Sequence, residues 1–351
     1  MILTSLDLAG LRPGLGRTLK KRLLAPSEVE LFRVLKDVSR SFYVSVRFLP
    51  KRIRLTIAIS YLLARASDTI ADTNSMVPRS RIEFLRQFLK QIYELSPANA
   101  LGVAPFLEKQ AEGPEKVLLL NIKRILLALR LVAPEHRKLV AEVLSQIIHG
   151  QTLDIERFEM QAGIQKLPDE LSLVEYTYLV AGSVGEFWTN VCLLEWRHYS
   201  HLSAAKLLEL GREFGQGLQL INILRDFSSD LHEGRCYLPV GNLDKVVADP
   251  NLARPEWERW RRRAVAYLGS GWEYVNAIRP PLVRFACAVP VLIGVRTLDL
   301  LGSEARLRPG VKVTRSEVKK LLCWAVALAW LPFLKGYVGR RMFRRAVSYL
   351  R

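Results

Sequence analysis

From about residue 28 onward, apolar residues recur at intervals of three and four, and no sustained alternating stretch bounded by turn pairs interrupts them. That period predicts amphipathic helices rather than strands. The expected helices run over 28–47, 51–73, 79–95, 115–132, 135–161, 170–197, 203–231, 256–278, 281–301 and 315–334. Pro50, Pro78, Pro134, Pro168, Pro255 and Pro280 stand near helix starts, where a missing N–H is tolerated. Two stretches read as loops, 96–114 and 232–255, and the same periodicity continues on either side of both. One all-α domain without solenoid repeats is therefore expected. The last apolar run, Leu321 to Leu334, is broken by Pro332 and falls short of the ~20 residues that span a bilayer. It reads as a packed core helix, with an interfacial helix anchored by Arg340, Arg341, Arg344 and Arg345 as the alternative.

The chain has 351 residues, half of them hydrophobic and a quarter charged, which excludes disorder and is long enough for one large core. Cys192, Cys236, Cys287 and Cys323 form no C-x-x-C pair, so neither a zinc site nor a disulfide framework is expected. With no secretory signal pattern, the reading is a cytoplasmic protein. The net charge of +18 is uneven: 311–351 carry +9, 1–25 carry +4, and only +5 is left for the residues between. This divides the chain into a basic extension (1–27), a core (28–310) and a basic C-terminal segment (311–351). Charge gathered at two ends suits either a solvated face or an anionic membrane surface touched from the inner side, and no nucleic-acid partner is expected.

The most informative polar positions are two Asp-x-x-x-Asp pairs, Asp68 with Asp72 and Asp226 with Asp230. On a helix, i and i+4 share a face, and each pair follows an apolar stretch. Four carboxylates at the mouth of an apolar bundle repel one another unless a cation joins them, and Mg2+ is the hard ion that shares oxygen ligands with phosphate. Arg65 and Arg225 lie beside these acids and suit bidentate phosphate contacts. Gln219 and Asn222 continue the stripe of Asp226 and Asp230, the pattern of a cavity wall. Gly211, Gly215 and Gly217 upstream permit close backbone approach. Together these features specify a diphosphate with an apolar tail.

Five blocks, SRSFYVSVRFLP (39–50), YLLARASDTIAD (61–72), EYTYLVAGSVGE (175–186), LQLINILRDFSSDLHEGRCYLP (218–239) and RFACAVPVLIGVRTL (284–298), occur in order. Over roughly 28–320 the chain resembles the squalene and phytoene synthases, most of all squalene synthase. The resemblance implies an isoprenoid synthase-type helical bundle around a central apolar cavity. It also implies a prenyltransferase that condenses two farnesyl diphosphates head to head through presqualene diphosphate. By similarity, Asp68, Asp72, Asp226, Asp230 and Asn222 hold Mg2+. Ser39, Arg40, Tyr61, Arg65, Gln219, Arg225 and Tyr237 match diphosphate-contacting positions. Tyr176 matches the tyrosine that assists proton transfer or shields the cation, and Phe42, Val180, Val184, Gly185 and Phe285 would line the prenyl cavity.

DTIAD and RFACAVP favour squalene as the product, which requires NADPH. Arg40, Arg65, Arg225 and Lys312 match basic positions implicated in that cofactor's binding. Three departures keep the product open: Ala71 replaces a glutamate, Thr314 stands where a second basic residue is expected, and NILRDFSSDL is closer to phytoene-type sequences. Phytoene or dehydrosqualene formation without reduction, including use of geranylgeranyl diphosphate, is the nearest alternative. A hydrolytic or cyclising terpenoid enzyme shares the metal chemistry, and a non-catalytic basic helical protein binding membranes or nucleic acid is the reading from a different class.

Overall fold

A capping box opens the first helix: the Ser27 hydroxyl accepts from the Glu30 N–H, and the Glu30 carboxylate accepts from the Ser27 N–H at 2.8 Å. The computed structural model describes residues 26–39, 42–95, 101–303, 307, 310–331 and 338. Along them run α1 (Glu28–Val38), α2 (Phe42–Arg47), α3 (Lys51–Ala71), α4 (Pro78–Glu94), α5 (Ala104–Lys109), α6 (Pro114–Leu129) and α7 (Pro134–Phe158). Then follow β1 (Gln165–Lys166), α8 (Glu170–Thr177), a π-helical turn (Tyr178–Gly182), α9 (Ser183–Glu195) and α10 (Ala204–His232). The chain continues through β2 (Arg235–Cys236), α11 (Leu243–Ala248), a short 3-10 turn (Pro250–Ala253), α12 (Arg254–Ala277), α13 (Pro281–Ser303) and α14 (Arg315–Trp330). The protein is an all-α, single-domain bundle, as the periodicity predicts.

Two halves face each other. In one, α3 packs on α6 and α7, with α4 behind α7; in the other, α10 lies between α9 and α12, with α13 beyond. The π-helical turn touches both α7 and α10, and α9 also meets α3, so the cavity falls between these halves.

The structure departs from the expected elements in four places, each with a local cause. The helix expected over 28–47 stops at Val38, where the Ser39 hydroxyl turns back to donate to the Leu35 carbonyl at 2.9 Å. The stretches expected as loops contain α5 and α11, each buried through one apolar residue, Phe106 and Val246. The helix expected over 170–197 is broken by the π-helical turn. Finally, β1 and β2 form a two-stranded parallel pair, too short for an alternating pattern to signal. Gly234, at φ +85°, makes the turn that brings Arg235 beside Gln165.

At the C-terminal end, α14 buries Leu321, Ala325, Leu328 and Ala329 and packs on α13, so the described part of the apolar run is core helix. Residues 332–334 and Arg340, Arg341, Arg344 and Arg345 lie outside the described residues, as do 1–25. Among the described residues one helix, Pro281–Gly302, is long and apolar enough to cross a membrane, but 72% of that window is buried inside the bundle. It serves as a core element: Arg284 on it donates to the Ala329 carbonyl at 2.8 Å and ties α13 to α14.

Candidate active site

The cavity between the halves has a volume of about 460 Å³. Its helical walls follow from spacing: on α3 and its C-cap, Tyr61, Ala64, Arg65, Asp68, Ala71 and Asp72 recur at intervals of three and one and line one face. Phe42, Ile57, Val143, Ile147, Phe187 and Trp188 make the apolar part of the wall, and Arg65, Asp68, Asp72, Asp154, Arg235 and Tyr237 the polar part. Val180 and Val184 also line it; Val180 fits there because Gly150 leaves room for its methyl group.

The α3 side of the polar part is tied down at both ends. Arg65 is paired with Asp68 and donates to Glu115 Oε1 at 3.2 Å. At the end of α3, the buried Arg81 is bonded to the Ala71 carbonyl and paired with Glu159. A cation on the last carbonyls of a helix is favourably placed. Tyr61 stacks on Phe42 with ring centroids 4.6 Å apart, and its hydroxyl is hydrogen-bonded to Ser39. Ser39 therefore reaches the cavity through Tyr61 rather than by lining it.

On the α10 side, Gln219 is on the wall, and Asn222, exposed, donates to Gln219 Oε1 at 3.3 Å. Asp226 is half-buried and held by Arg225, whose Nε donates to it at 2.8 Å. Asp230 is half-buried one turn further on. Arg225, Asn222, Asp226 and Asp230 thus stand on α10 beside the cavity and are not on its wall. Between the two Asp pairs comes Arg235, brought in by the β1–β2 pair, whose charge acts on Asp72, Asp154 and Asp230.

The electrostatics record crowded carboxylates. Burial, with the Asp68 charge added, pushes Asp72 up to about 6 against the opposing Arg235 and Arg65. Burial pushes Asp230 up to about 7, with Arg235 opposing and Asp226 adding to the rise. Asp68 is also raised by burial, opposed by Arg65. Burial works against the Arg235 charge, yet Tyr237, Asp230, Glu233 and Asp154 hold it above its ordinary range.

Among the described residues no group of three or more His, Cys, Asp or Glu is gathered closely enough to ligate one ion. The acids come as pairs. Pairs of carboxylates fit Mg2+, which keeps several waters and takes one or two carboxylates plus phosphate oxygens rather than an all-protein cage. Buried atoms without partners support a polar ligand here: Arg65 Nε, Gln151 Oε1, Asp154 Oδ1 and Arg235 Nε all belong to wall residues. Of the residues read as binding NADPH, only Arg65 is on the wall among the described residues. Arg65 and Arg225 are each committed to a neighbouring carboxylate, Lys312 is exposed and not on the wall, and Arg40 lies outside the described residues.

Two expected wall residues are placed elsewhere. Gly185 packs on α10: a Cβ there would stand 1.8 Å from the Gly211 carbonyl oxygen, so its role is close helix crossing. Phe285 is 5% exposed in the core, its ring edge-on to Phe48 at 6.1 Å. Of the two tyrosines on the same segment, Tyr176 is buried on the wall, whereas Tyr178 turns away and donates to Glu186 at 3.2 Å. Asp154 and Arg235 escape a reading of the sequence. Asp154 is one of four acids on a long helix and has no partner acid at i+4, and Arg235 lies inside the HEGRCYLP segment from which Tyr237 alone stands out.

Comparison with known proteins adds an independent line. Residues 35–317 match the family model described as squalene/phytoene synthase. The chain is 25% identical over 304 residues to the squalene synthase of Saccharomyces cerevisiae, covering 83% of this chain and 65% of that protein. It is 29% identical over 315 residues to the bifunctional lycopene cyclase/phytoene synthase of Phaeosphaeria nodorum, covering 86% and 50%. It spans under two thirds of the length of the squalene synthases of Eremothecium gossypii and S. cerevisiae. A solved structure of TcSQS with a ligand superposes with a TM-score of 0.72 at 21% identity, covering 91% of this chain and 96% of that one. A dehydrosqualene synthase in complex with a ligand gives 0.62 at 21% identity, covering 91% and 99%. These two likenesses establish the fold.

Proposed function

Because the chain belongs to the squalene/phytoene synthase family, we propose that it is a prenyltransferase condensing two farnesyl diphosphates head to head through presqualene diphosphate, with squalene formed when NADPH is supplied. The observation that carries this reading is a cavity apolar over most of its wall with unpartnered Arg65 and Arg235 nitrogens among the Asp pairs. Prenyl tails fit the first part and diphosphates the second.

Mg2+ would be held by Asp68 and Asp72 on one side and by Asp226 and Asp230, with Asn222 beside them, on the other; when bound it neutralises charge on the departing diphosphate. Arg65 and Arg235 orient the diphosphate and offset the charge that develops on it. Tyr61, Phe42, Tyr176 and Tyr237 present aromatic faces that stabilise a carbocation without capturing it. Phe187, Trp188, Val143 and Ile147 exclude water from it. A second reading, favoured by the NILRDFSSDL segment standing closer to phytoene-type sequences, is hydride-free formation of dehydrosqualene or phytoene.

The deciding experiment incubates the purified chain with farnesyl diphosphate or geranylgeranyl diphosphate and Mg2+, with and without NADPH, and identifies the product. Squalene only with NADPH supports the reductive reading. Dehydrosqualene in both arms supports the non-reductive one, as does phytoene made only from geranylgeranyl diphosphate. No consumption of either diphosphate overturns both. For location we propose peripheral contact with the inner face of a membrane from the cytoplasm. Supporting it are the charge of 311–351 and the outer face of α14, where Val326, Trp330 and Leu331 are exposed beside Lys319 and Lys320.

A further inference from the structure

Three wall residues from three separate elements meet at Asp154. From β2's continuation, the Tyr237 hydroxyl donates to Asp154 Oδ2 at 2.7 Å. From α8, Tyr176 comes near enough that Asp154 and Tyr237 both act on its hydroxyl. The two tyrosine rings stack, with centroids 4.9 Å apart and planes 23° from parallel, and Phe158 closes edge-on against Tyr237 at 5.1 Å. The other carboxylate oxygen, Oδ1, is buried without a partner. Glu159, the other carboxylate on the wall outside the Asp pairs, is committed to Arg81, so Asp154 alone serves the tyrosines.

A carboxylate in such a place is costly unless it holds something. An ionised carboxylate only accepts hydrogen bonds, so it draws both phenol protons towards itself. That ties the two hydroxyls to one wall carboxylate while the rings stay stacked on the wall. Ring and hydroxyl differ beside a carbocation, because an aromatic face stabilises it whereas a free hydroxyl oxygen captures it.

We propose that Asp154 is a positioning residue that anchors the hydroxyls of Tyr176 and Tyr237, so that the cavity meets their ring faces and not their oxygens. This rests on the prenyl diphosphate reading above. Once protonated, Asp154 becomes a donor, and it can no longer accept from both phenols as before; one hydroxyl is released. Burial places that change at about pH 7, against the opposing bonds from Tyr237 and Tyr176. The charged groups that act on the cluster are Arg235 on β2, Arg157 on the same helix, Asp230 on α10 and Asp68 on α3. Burial and Asp154 hold both tyrosines well above the usual phenol range, so neither ionises in that window.

The test compares the full chain with Asp154→Asn, which keeps the shape but neither charges nor titrates. Expected is a kcat lowered by about 10- to 100-fold with KM changed less than about threefold, and loss of the limb near neutral pH in the kcat profile. Wild-type kcat with the same pH profile overturns the proposal. A second readout needs no turnover: near-UV circular dichroism of tyrosine across pH 5.5 to 8.5, with Tyr176→Phe and Tyr237→Phe assigning the signal. A step in the wild type that is absent in Asp154→Asn supports the proposal, and identical traces overturn it. If the wild type consumes no prenyl diphosphate, the functional reading fails while the spectral comparison still decides the positioning role.

Discussion

Asp68 and Asp226 differ from ordinary surface acids in what holds them: each is gripped by an arginine, and each has a second aspartate one turn later. Asp68→Asn and Asp226→Asn are each expected to lower turnover by about a hundredfold or more while far-UV circular dichroism stays that of the wild type. Full turnover in both variants would remove the metal assignment. Asp154 gives a stability prediction with a definite sign. Its carboxyl is raised in the folded protein from 3.8 to about 7, so the native state keeps a proton that the unfolded chain releases. Its contribution is complete below the unfolded value and is lost as pH rises to about 7. Asparagine does not titrate, so the wild type should lose thermal stability relative to Asp154→Asn between pH 5 and pH 8 in EDTA. A difference that stays flat or grows in that window would contradict the assignment. At this scale the Asp pairs are legible because a helix turns a spacing of four into one face. Asp154 and Arg235 are not, because only tertiary packing brings one of the four acids on α7 and the arginine of β2 to the same wall.

Between elements, the crossing of α9 and the π-helical turn over α10 depends on absent side chains. A Cβ on Gly215 would stand 2.1 Å from the Ala181 carbonyl oxygen, and one on Gly185 closer still to that of Gly211, so backbone meets backbone at two levels. Thr189 reinforces the upper level by donating to the Gly185 carbonyl at 2.8 Å and meeting the Tyr274 hydroxyl at 3.0 Å. Gly185→Ala must push the helices apart and is expected to destabilise by about 1–3 kcal/mol, read from the urea midpoint, with a smaller effect at half-buried Gly269, where a Cβ meets nothing. Equal stability of the two variants would sink this account. The helical period revealed nearly every long element, and Gly211 and Gly215 signalled close approach, but the partner of that approach could not be read. The family resemblance implied a cavity-wall place for Gly185, as for Val180 and Val184, of which the two valines line it. The β1–β2 pair was invisible for another reason: two residues per strand carry no period, and its hydrogen bonds are backbone only, as from Leu167 N–H to the Cys236 carbonyl at 2.9 Å.

Over the whole molecule, the charge separates into ends and centre, and the long centre carries only +5. Arg65, Arg81, Arg225 and Arg261 are each paired with acids, so the basic excess falls largely on 1–25 and 311–351. The proposed product, a water-insoluble hydrocarbon, would give such an excess a use at a lipid surface. The outer face of α14 joins the two requirements of interfacial binding, with Lys319 and Lys320 near Val326, Trp330 and Leu331, the last three 49%, 53% and 43% exposed. Each basic residue near an anionic leaflet contributes roughly 1 kcal/mol, and salt screens that contribution. The chain is therefore expected to sediment with phosphatidylserine vesicles more than with neutral ones, and to release from them as salt rises. Lys319→Glu with Lys320→Glu should weaken the salt-sensitive part, and Trp330→Ser the part that survives salt. Both variants leave the cavity untouched, so turnover on detergent-dispersed substrate should match the wild type. Equal binding to neutral and anionic vesicles at low salt would instead make the basic ends a solvated surface.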